Sequence, residues 1–362
     1  MRSRRGSSGS WLKGGLALAA ALSPWWAQGA ELAPGTPGPT HCNRVEEDAA
    51  RLACYDRWAG RSAGGEPAPA VVPAPVPVAE QEAPAAGPSS LWSAYWELDR
   101  QDKRGTFNFK TYKPNFILPA YISNAVNHTP STPTRGTASG LPNYHASEVK
   151  LHLSLRTKLA QSVLLPGADL WFGYTQQSMW QLWNHAASAP FRNTDYEPEL
   201  IYVVPVPEKI GHLPGGWRLA MLQGGAAHQS NGQSDPLSRS WNRIYLAAGL
   251  ERGDMTVLLR SHRRVRESAA SDDNPDLTRY VGRGDLQLGW TTGLSTASLL
   301  WRTDYKRIDR GSVQLDFTYP VDREKPLGLR WYMQLFSGYG ETLLDYNFRR
   351  TSFGVGVSMF QF

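Results

Sequence analysis

The chain has 362 residues with 34 Gly, 26 Pro, 14 Trp, 15 Tyr and 11 Phe, a composition that argues against helical bundles and coiled coils. Hydrophobic residues make up 41% and charged residues 19%, enough apolar material to exclude a chain disordered throughout. The net charge of +6 is concentrated at the start: Arg2, Arg4, Arg5 and Lys13 stand in a thirty-residue stretch without an acid, and beyond it 34 Lys and Arg face 32 Asp and Glu. The remainder is nearly neutral, so no nucleic-acid partner is expected.

In chain order, the basic start, the apolar run Gly14 to Ala27 and the small residues Gly29 and Ala30 predict a secretory signal peptide over residues 1–30. Residues 31–63 hold both cysteines, Cys42 and Cys54, and Glu46 to Trp58 has helical composition. An exported protein with two cysteines favours a disulfide. Twelve residues of continuous helix would hold the pair about 18 Å apart, so a bonded Cys42 has to fold back from outside the helix. Two thiols alone do not complete a zinc site, and a small structural module is expected. Residues 64–90 carry Pro67, Pro69, Pro73, Pro75, Pro77, Pro84 and Pro88 among Ala and Val, a semi-extended linker.

From Leu91 to Phe362 polarity alternates with period two. Val149, Leu151, Leu153 and Leu155 form one file against Lys150, His152, Ser154, Arg156 and Lys158; Val313, Leu315, Phe317 and Tyr319 face the opposite way from Gln314, Asp316 and Thr318; Leu329, Trp331, Met333 and Leu335 repeat the pattern. No stretch beyond the first thirty residues has the roughly 18 consecutive apolar residues of a spanning helix, a limit that does not apply to barrel strands. Long polar segments (Asn124 to His145, Glu267 to Arg279) alternate with tight turns such as Arg252-Gly253-Asp254, as at the two ends of an outer-membrane barrel. The last strand closes on Phe362, resembling the terminal assembly signal of such barrels. About twelve strand-like segments predict an all-β fold: a twelve-stranded antiparallel transmembrane β-barrel with an N-terminal periplasmic extension, its narrow interior filled by charged side chains.

One polar cluster breaks this pattern. His228 and Ser230 are two apart on one strand face. Asn231-Gly232 and Ser234-Asp235-Pro236 are turn-forming, and a symmetric reversal about position 235 sets His228 opposite Asn242. Asn242 shares parity with Ile244, Leu246, Ala248 and Leu250, the apolar lipid-facing file, and His228 with Ala226, Gly224 and Leu222. Ser, His and Asn are a workable nucleophilic set, with His taking the Ser proton and Asn orienting the ring. A neutral orienter suits hydrocarbon, because no carboxylate has to be desolvated. The bland reading of H-x-S is an exposed loop. His152 lies on the charged inward file and is read as structural.

The run His228-Gln-Ser-Asn-Gly-Gln-Ser-Asp-Pro-Leu-Ser-Arg-Ser-Trp-Asn-Arg243 resembles the active-site signature of the bacterial outer membrane phospholipase A family. Tyr174-Thr-Gln-Gln-Ser-Met-Trp180, Pro190-Phe-Arg192, Tyr196-Glu-Pro198, Asp272-Asp-Asn-Pro-Asp276 and Ser337 to Asn347 match in order, covering about residues 91–362. The resemblance implies hydrolysis of outer-leaflet phospholipid acyl esters, of the A1, A2 and lysophospholipase types, with Ser230 as nucleophile, His228 as base and Asn242 orienting it. It implies Ca2+ held by the carbonyl of Gln233, the hydroxyl of Ser238 and the carbonyl of Ser188 of the partner subunit, with activity switched on in a homodimer. Asp235 and Asp273 match a second, weaker calcium site, and Gln176 matches a polar residue of the dimer interface, against a lumen-facing alternative. The family usually has Arg at Gln233 and Asp at Gln229. A backbone ligand survives the first change. The competing class is a non-enzymatic barrel, a narrow channel or structural protein; a barrel protease or lipopolysaccharide deacylase would need a different rim set, which the sequence lacks.

Overall fold

The structure, a computed structural model, describes residues 39–59, 90–304 and 307–359. The expected signal peptide, most of the Pro-rich linker and the terminal Phe362 lie outside them. The chain divides into two compact units, Met1–Ala83 and Pro84–Phe362. In the first, a 3-10 turn (Pro39–Arg44) leads into helix α1 (Asp48–Trp58), and Cys42 is disulfide-bonded to Cys54 with the Cα atoms 5.6 Å apart. Cys42 folds back from outside the helix, as the distance argument requires. No residue of α1 is buried, so the covalent link does the work that a core would do in a larger unit.

The second unit begins with the short helix α2 (Leu91–Trp96), N-capped by Ser90, whose Oγ accepts from the Ser93 N–H at 3.1 Å. Twelve strands then close on themselves: β1 (Asn115–Ser123), β2 (Ser147–Ala160), β3 (Asp169–Trp180), β4 (Phe191–Pro205), β5 (Arg218–Ser230), β6 (Ser240–Arg252), β7 (Met255–Arg264), β8 (Gly284–Thr292), β9 (Ser295–Asp304), β10 (Arg307–Pro320), β11 (Leu329–Gly338) and β12 (Arg350–Met359). Each pairs antiparallel with its chain neighbour, and β12 returns to β1. A short strand, Phe109–Thr111, extends the β1 edge along the other half of β2. Closure leaves no free edge, as backbone groups in hydrocarbon demand.

Connections 124–146, 181–190, 231–239, 265–283 and 339–349 lie at one end; the two-residue turns 253–254 and 293–294 lie at the other. The long segments carry local structure of their own, a hairpin (Ser131–Thr132 with Gly136–Thr137) and a single helical turn (Thr278–Val281).

The two side-chain files separate as the alternation predicts. Leu200, Leu222, Ile244, Leu246, Leu315, Phe317, Met333 and Phe353 are exposed on the outer wall. Lys150, Arg156, Lys158, Glu199, Gln223 and Arg243 are buried inside. Several of the interior charges are ion-paired: Lys113 reaches Glu197 at 2.7 Å and Glu199 at 3.0 Å, and Arg243 reaches Glu197 at 2.8 Å. Near the long-loop end Arg192 grips Glu148 through two nitrogens at 2.7 and 2.9 Å and Asp345 at 2.6 Å. At the opposite end α2 blocks the mouth. Trp92 donates from its backbone to Glu251 Oε2 at 3.0 Å and from Nε1 to Leu250 O at 2.7 Å. The Arg156 guanidinium lies 3.7 Å from the Tyr95 ring centre and 4.4 Å from that of Trp96, and Trp96 packs edge-on against Trp171. A helix anchored in the mouth and an ion-paired interior both oppose open diffusion.

Candidate functional site

Strands β5 and β6 pair in the register His228↔Asn242 and Ser230↔Ser240. The His228 ring Nδ1 and Asn242 Oδ1 are 2.9 Å apart. An amide oxygen only accepts, so the contact calls for a proton on Nδ1, the tautomer in which the neutral ring leaves Nε2 as the acceptor. Ser230 is two residues along the same face, opposite Tyr196 of β4. His228 is exposed and Ser230 and Asn242 are half-buried, while Trp241, Arg243 and Tyr245 of the other parity are buried. The three side chains therefore stand on the outer wall, at the long-loop end of a file continued by Ala226, Ile244 and Leu246.

The connection that sets this register is held by one side chain. Asn231 Oδ1 accepts from the N–H of Arg239 at 2.9 Å and of Gln233 at 3.4 Å, and its Nδ2 donates to Leu237 O at 2.8 Å. Gly232 follows with φ at +63°, where a side chain would be strained and would press on the Tyr196 ring. The Asn-Gly pair thus explains why the chain turns where it does. Gln229 points inward and accepts from Trp241 Nε1 at 2.9 Å, apart from the Ser230, His228 and Asn242 cluster.

The residues expected to hold calcium sit on connections at the same end. Ser238 Oγ donates to Asp273 Oδ2 at 2.8 Å, and the side-chain amide of Gln233 is turned to Arg192 O at 3.3 Å and Asn193 Oδ1 at 3.4 Å. Ser188 closes a 3-10 turn in the left-handed region, φ 61°, on the 181–190 connection. Hydroxyl and carbonyl oxygens are hard donors suited to Ca2+. Among the described residues no group of three or more His, Cys, Asp and Glu forms a metal cage. At Asp235 and Asp273, the pair expected to form a second cation site, Arg135 of the 131–137 hairpin reaches both carboxylates, at 3.4 Å from Asp235 and 2.8 Å from Asp273. The guanidinium thus lends both carboxylates positive charge.

Gln176 lies on the outward file of β3 with the half-exposed Phe172 and Tyr174; it accepts from Tyr174 Oη at 3.2 Å and donates to Ser178 Oγ at 3.4 Å. Gln177, of the other parity, reaches inward to Glu341 O at 2.7 Å. His152 is stacked on Phe116 inside the barrel, ring centres 5.0 Å apart. Two side chains at the site have no local signal in the sequence: Arg135, and Glu267, whose Oε1 accepts from Asn242 Nδ2 at 3.3 Å.

An apolar outer wall, an interior full of ion pairs and a Ser/His/Asn set outside the lumen define the class, an outer-membrane β-barrel with hydrolase-type side chains facing the lipid. The family model of phospholipase A1 matches residues 92–359. A putative phospholipase A1 of Neisseria meningitidis is 39% identical over 274 residues, spanning 73% of this chain and 69% of that protein. Outer membrane phospholipase A from Escherichia coli superposes with a TM-score of 0.62 and 34% identity, over 70% of this chain and 99% of its own. The Salmonella typhi outer membrane phospholipase, a dimer with bound calcium, does so with a TM-score of 0.62 and 34% identity, over 70% and 93%. The chain belongs to the phospholipase A1 family of outer-membrane β-barrel enzymes.

Proposed function

We propose that this chain hydrolyses acyl ester bonds of outer-leaflet phospholipids, with Ser230 as nucleophile, His228 as general base and Asn242 as the residue that orients His228. The observation that carries the reading is the 2.9 Å contact of His228 Nδ1 with Asn242 Oδ1 on the lipid-facing wall. With Nδ1 protonated, Nε2 takes the Ser230 proton as Oγ attacks the ester carbonyl, then returns it to the departing lysophospholipid oxygen. A water deprotonated by the same nitrogen releases the fatty acid. The position on the wall serves this chemistry, because an acyl ester lies at the boundary of the apolar band.

Calcium dependence and activation by dimerisation are part of the proposal. Gln233 and Ser238 of one subunit and Ser188 of the next would hold the ion, and bound there it would supply positive charge for the oxyanion. Gln176 would hydrogen-bond across the interface between two apolar walls. Support comes from the hard oxygen donors on neighbouring connections and from the calcium-bound Salmonella typhi dimer.

The test is fatty-acid release from phospholipid mixed micelles by the refolded protein with calcium or with chelator, alongside sedimentation in detergent. Release that needs calcium, rises more steeply than linearly with protein concentration and vanishes in Ser230→Ala is the expected result. No release under any condition would favour the non-enzymatic barrel; a fully active monomer in excess chelator would refute the shared calcium site.

A further inference from the structure

We infer that Glu267 is a positioning residue for the proposed reaction, fixing which end of the Asn242 amide faces His228. The inference rests on the reading of Ser230, His228 and Asn242 given above. Its origin lies in how β7 leaves the barrel. After the pair Arg264↔Arg243 the ladder continues by one bond, Val265 N–H to Asn242 O at 2.8 Å, so the first residues of the 265–283 connection still run beside β6. Parity is kept: Leu259 and Val265 are exposed on the outer wall, and Glu267 is the next side chain of that file. It ends half-buried against Asn242, with Oε1 receiving the Nδ2 proton at 3.3 Å.

A carboxylate has no proton to give, so only the NH2 end of the amide satisfies it. Asn242 is thereby required to present Oδ1 to His228 Nδ1, which in turn leaves Nε2 as the base. An amide alone leaves that choice open, since its two ends are nearly the same shape. The carboxylate also polarises the amide toward the ring as the imidazolium forms, and hydrogen bonds in a chain strengthen one another. The negative charge is kept on the polar connection that follows β7, beyond the end of the strand. Ser230, His228, Asn242 and Glu267 form a relay of four, assembled from β5, β6 and the segment after β7.

The test is turnover of full-length refolded protein on phospholipid micelles with calcium, for Glu267→Ala, Glu267→Gln, Asn242→Ala, the Asn242→Ala/Glu267→Ala double variant and Ser230→Ala. The electrophoretic shift of the folded barrel reports integrity for each. Glu267→Ala is expected to lower kcat about fivefold with KM unchanged, the effect of one hydrogen bond on the transition state. Glu267→Gln, which keeps an acceptor but can also donate, falls between it and wild type. In the Asn242→Ala background the Glu267→Ala change has no further effect, because its route to His228 is already cut. A wild-type kcat in Glu267→Ala, or the same fivefold loss in the double variant relative to Asn242→Ala, overturns the assignment of Glu267 and leaves the proposed function standing. Wild-type turnover in Ser230→Ala and Asn242→Ala overturns the proposed function itself.

Discussion

Asn242→Ala separates orientation from chemistry at this site. The substitution removes the 2.9 Å contact to His228 and leaves the backbone pair His228↔Asn242 in place, so the strands have no reason to shift. Without that contact the outward-facing His228 ring is no longer held in one orientation; the partner lost is a neutral one in the resting state and faces a cation once the proton has moved. One hydrogen bond that becomes charge-assisted in the transition state is worth about 2 kcal/mol, or about thirtyfold in kcat. The apolar wall at Ala226, Ile244 and Leu246 is untouched, and KM is expected to stay as in wild type. Ser230→Ala, by contrast, removes the proposed attacking atom and is expected to fall to the uncatalysed background. The assay is initial-rate fatty-acid release at saturating calcium over a range of micellar substrate. Complete loss in Asn242→Ala with a folded barrel would mean that Asn242 does more than orient the ring. A kcat within twofold of wild type (about 0.4 kcal/mol) would mean that the His228 contact is idle, and the argument from it would fail.

Deleting residues 31–83 is expected to leave calcium-dependent release intact, since the disulfide module belongs to the other compact unit; extending the deletion through Ser90 removes the cap of α2 and its 2.6 Å bond from Arg218, with about 1 kcal/mol lost in a urea titration. A wholly inactive, folded 31–83 deletion would show that the module takes part in catalysis. Ser238→Ala should raise the calcium concentration for half-maximal activity, and Arg135→Gln should lower it about threefold, the scale of a partly exposed ion pair, by leaving Asp235 and Asp273 uncompensated beside Ser238. An unchanged calcium response in Arg135→Gln would refute the competition between guanidinium and metal. Burial would raise the Asp345 carboxyl, but Arg192 and Arg350 outweigh it and hold it below the ordinary aspartate value. Its folded-state value being depressed, the stability it contributes is present above the unfolded value of about 3.9 and lost as pH falls through the folded one. Asp345→Asn should therefore cost about 3 kcal/mol at neutral pH, read from denaturant midpoints, with the gap to wild type narrowing below about pH 4; a gap independent of pH would assign the effect to something other than these ion pairs.

What the sequence determined by itself follows from interactions that are local along the chain. A strand sends alternate side chains to opposite faces, so the apolar wall, the charged interior and the outward placement of His228, Ser230 and Asn242 are legible by counting in twos. A short turn fixes which residues face each other, and the reversal after Asn231-Gly232 is enough to set His228 against Asn242, a separation of 14 residues. The fold-back of Cys42 is likewise a matter of helix rise over a short distance. Contacts made by closure of the barrel and packing of its long connections carry no such period. Glu267 meets Asn242 across 25 residues, Arg135 meets Asp273 across 138, and Trp92 reaches Glu251 across 159. Asp235 and Asp273 illustrate this: two acids on separate connections show nothing of Arg135, on a third, that folds between them. Only the tertiary structure decides which distant charge satisfies a buried one, because that choice depends on which connections the closed barrel brings together.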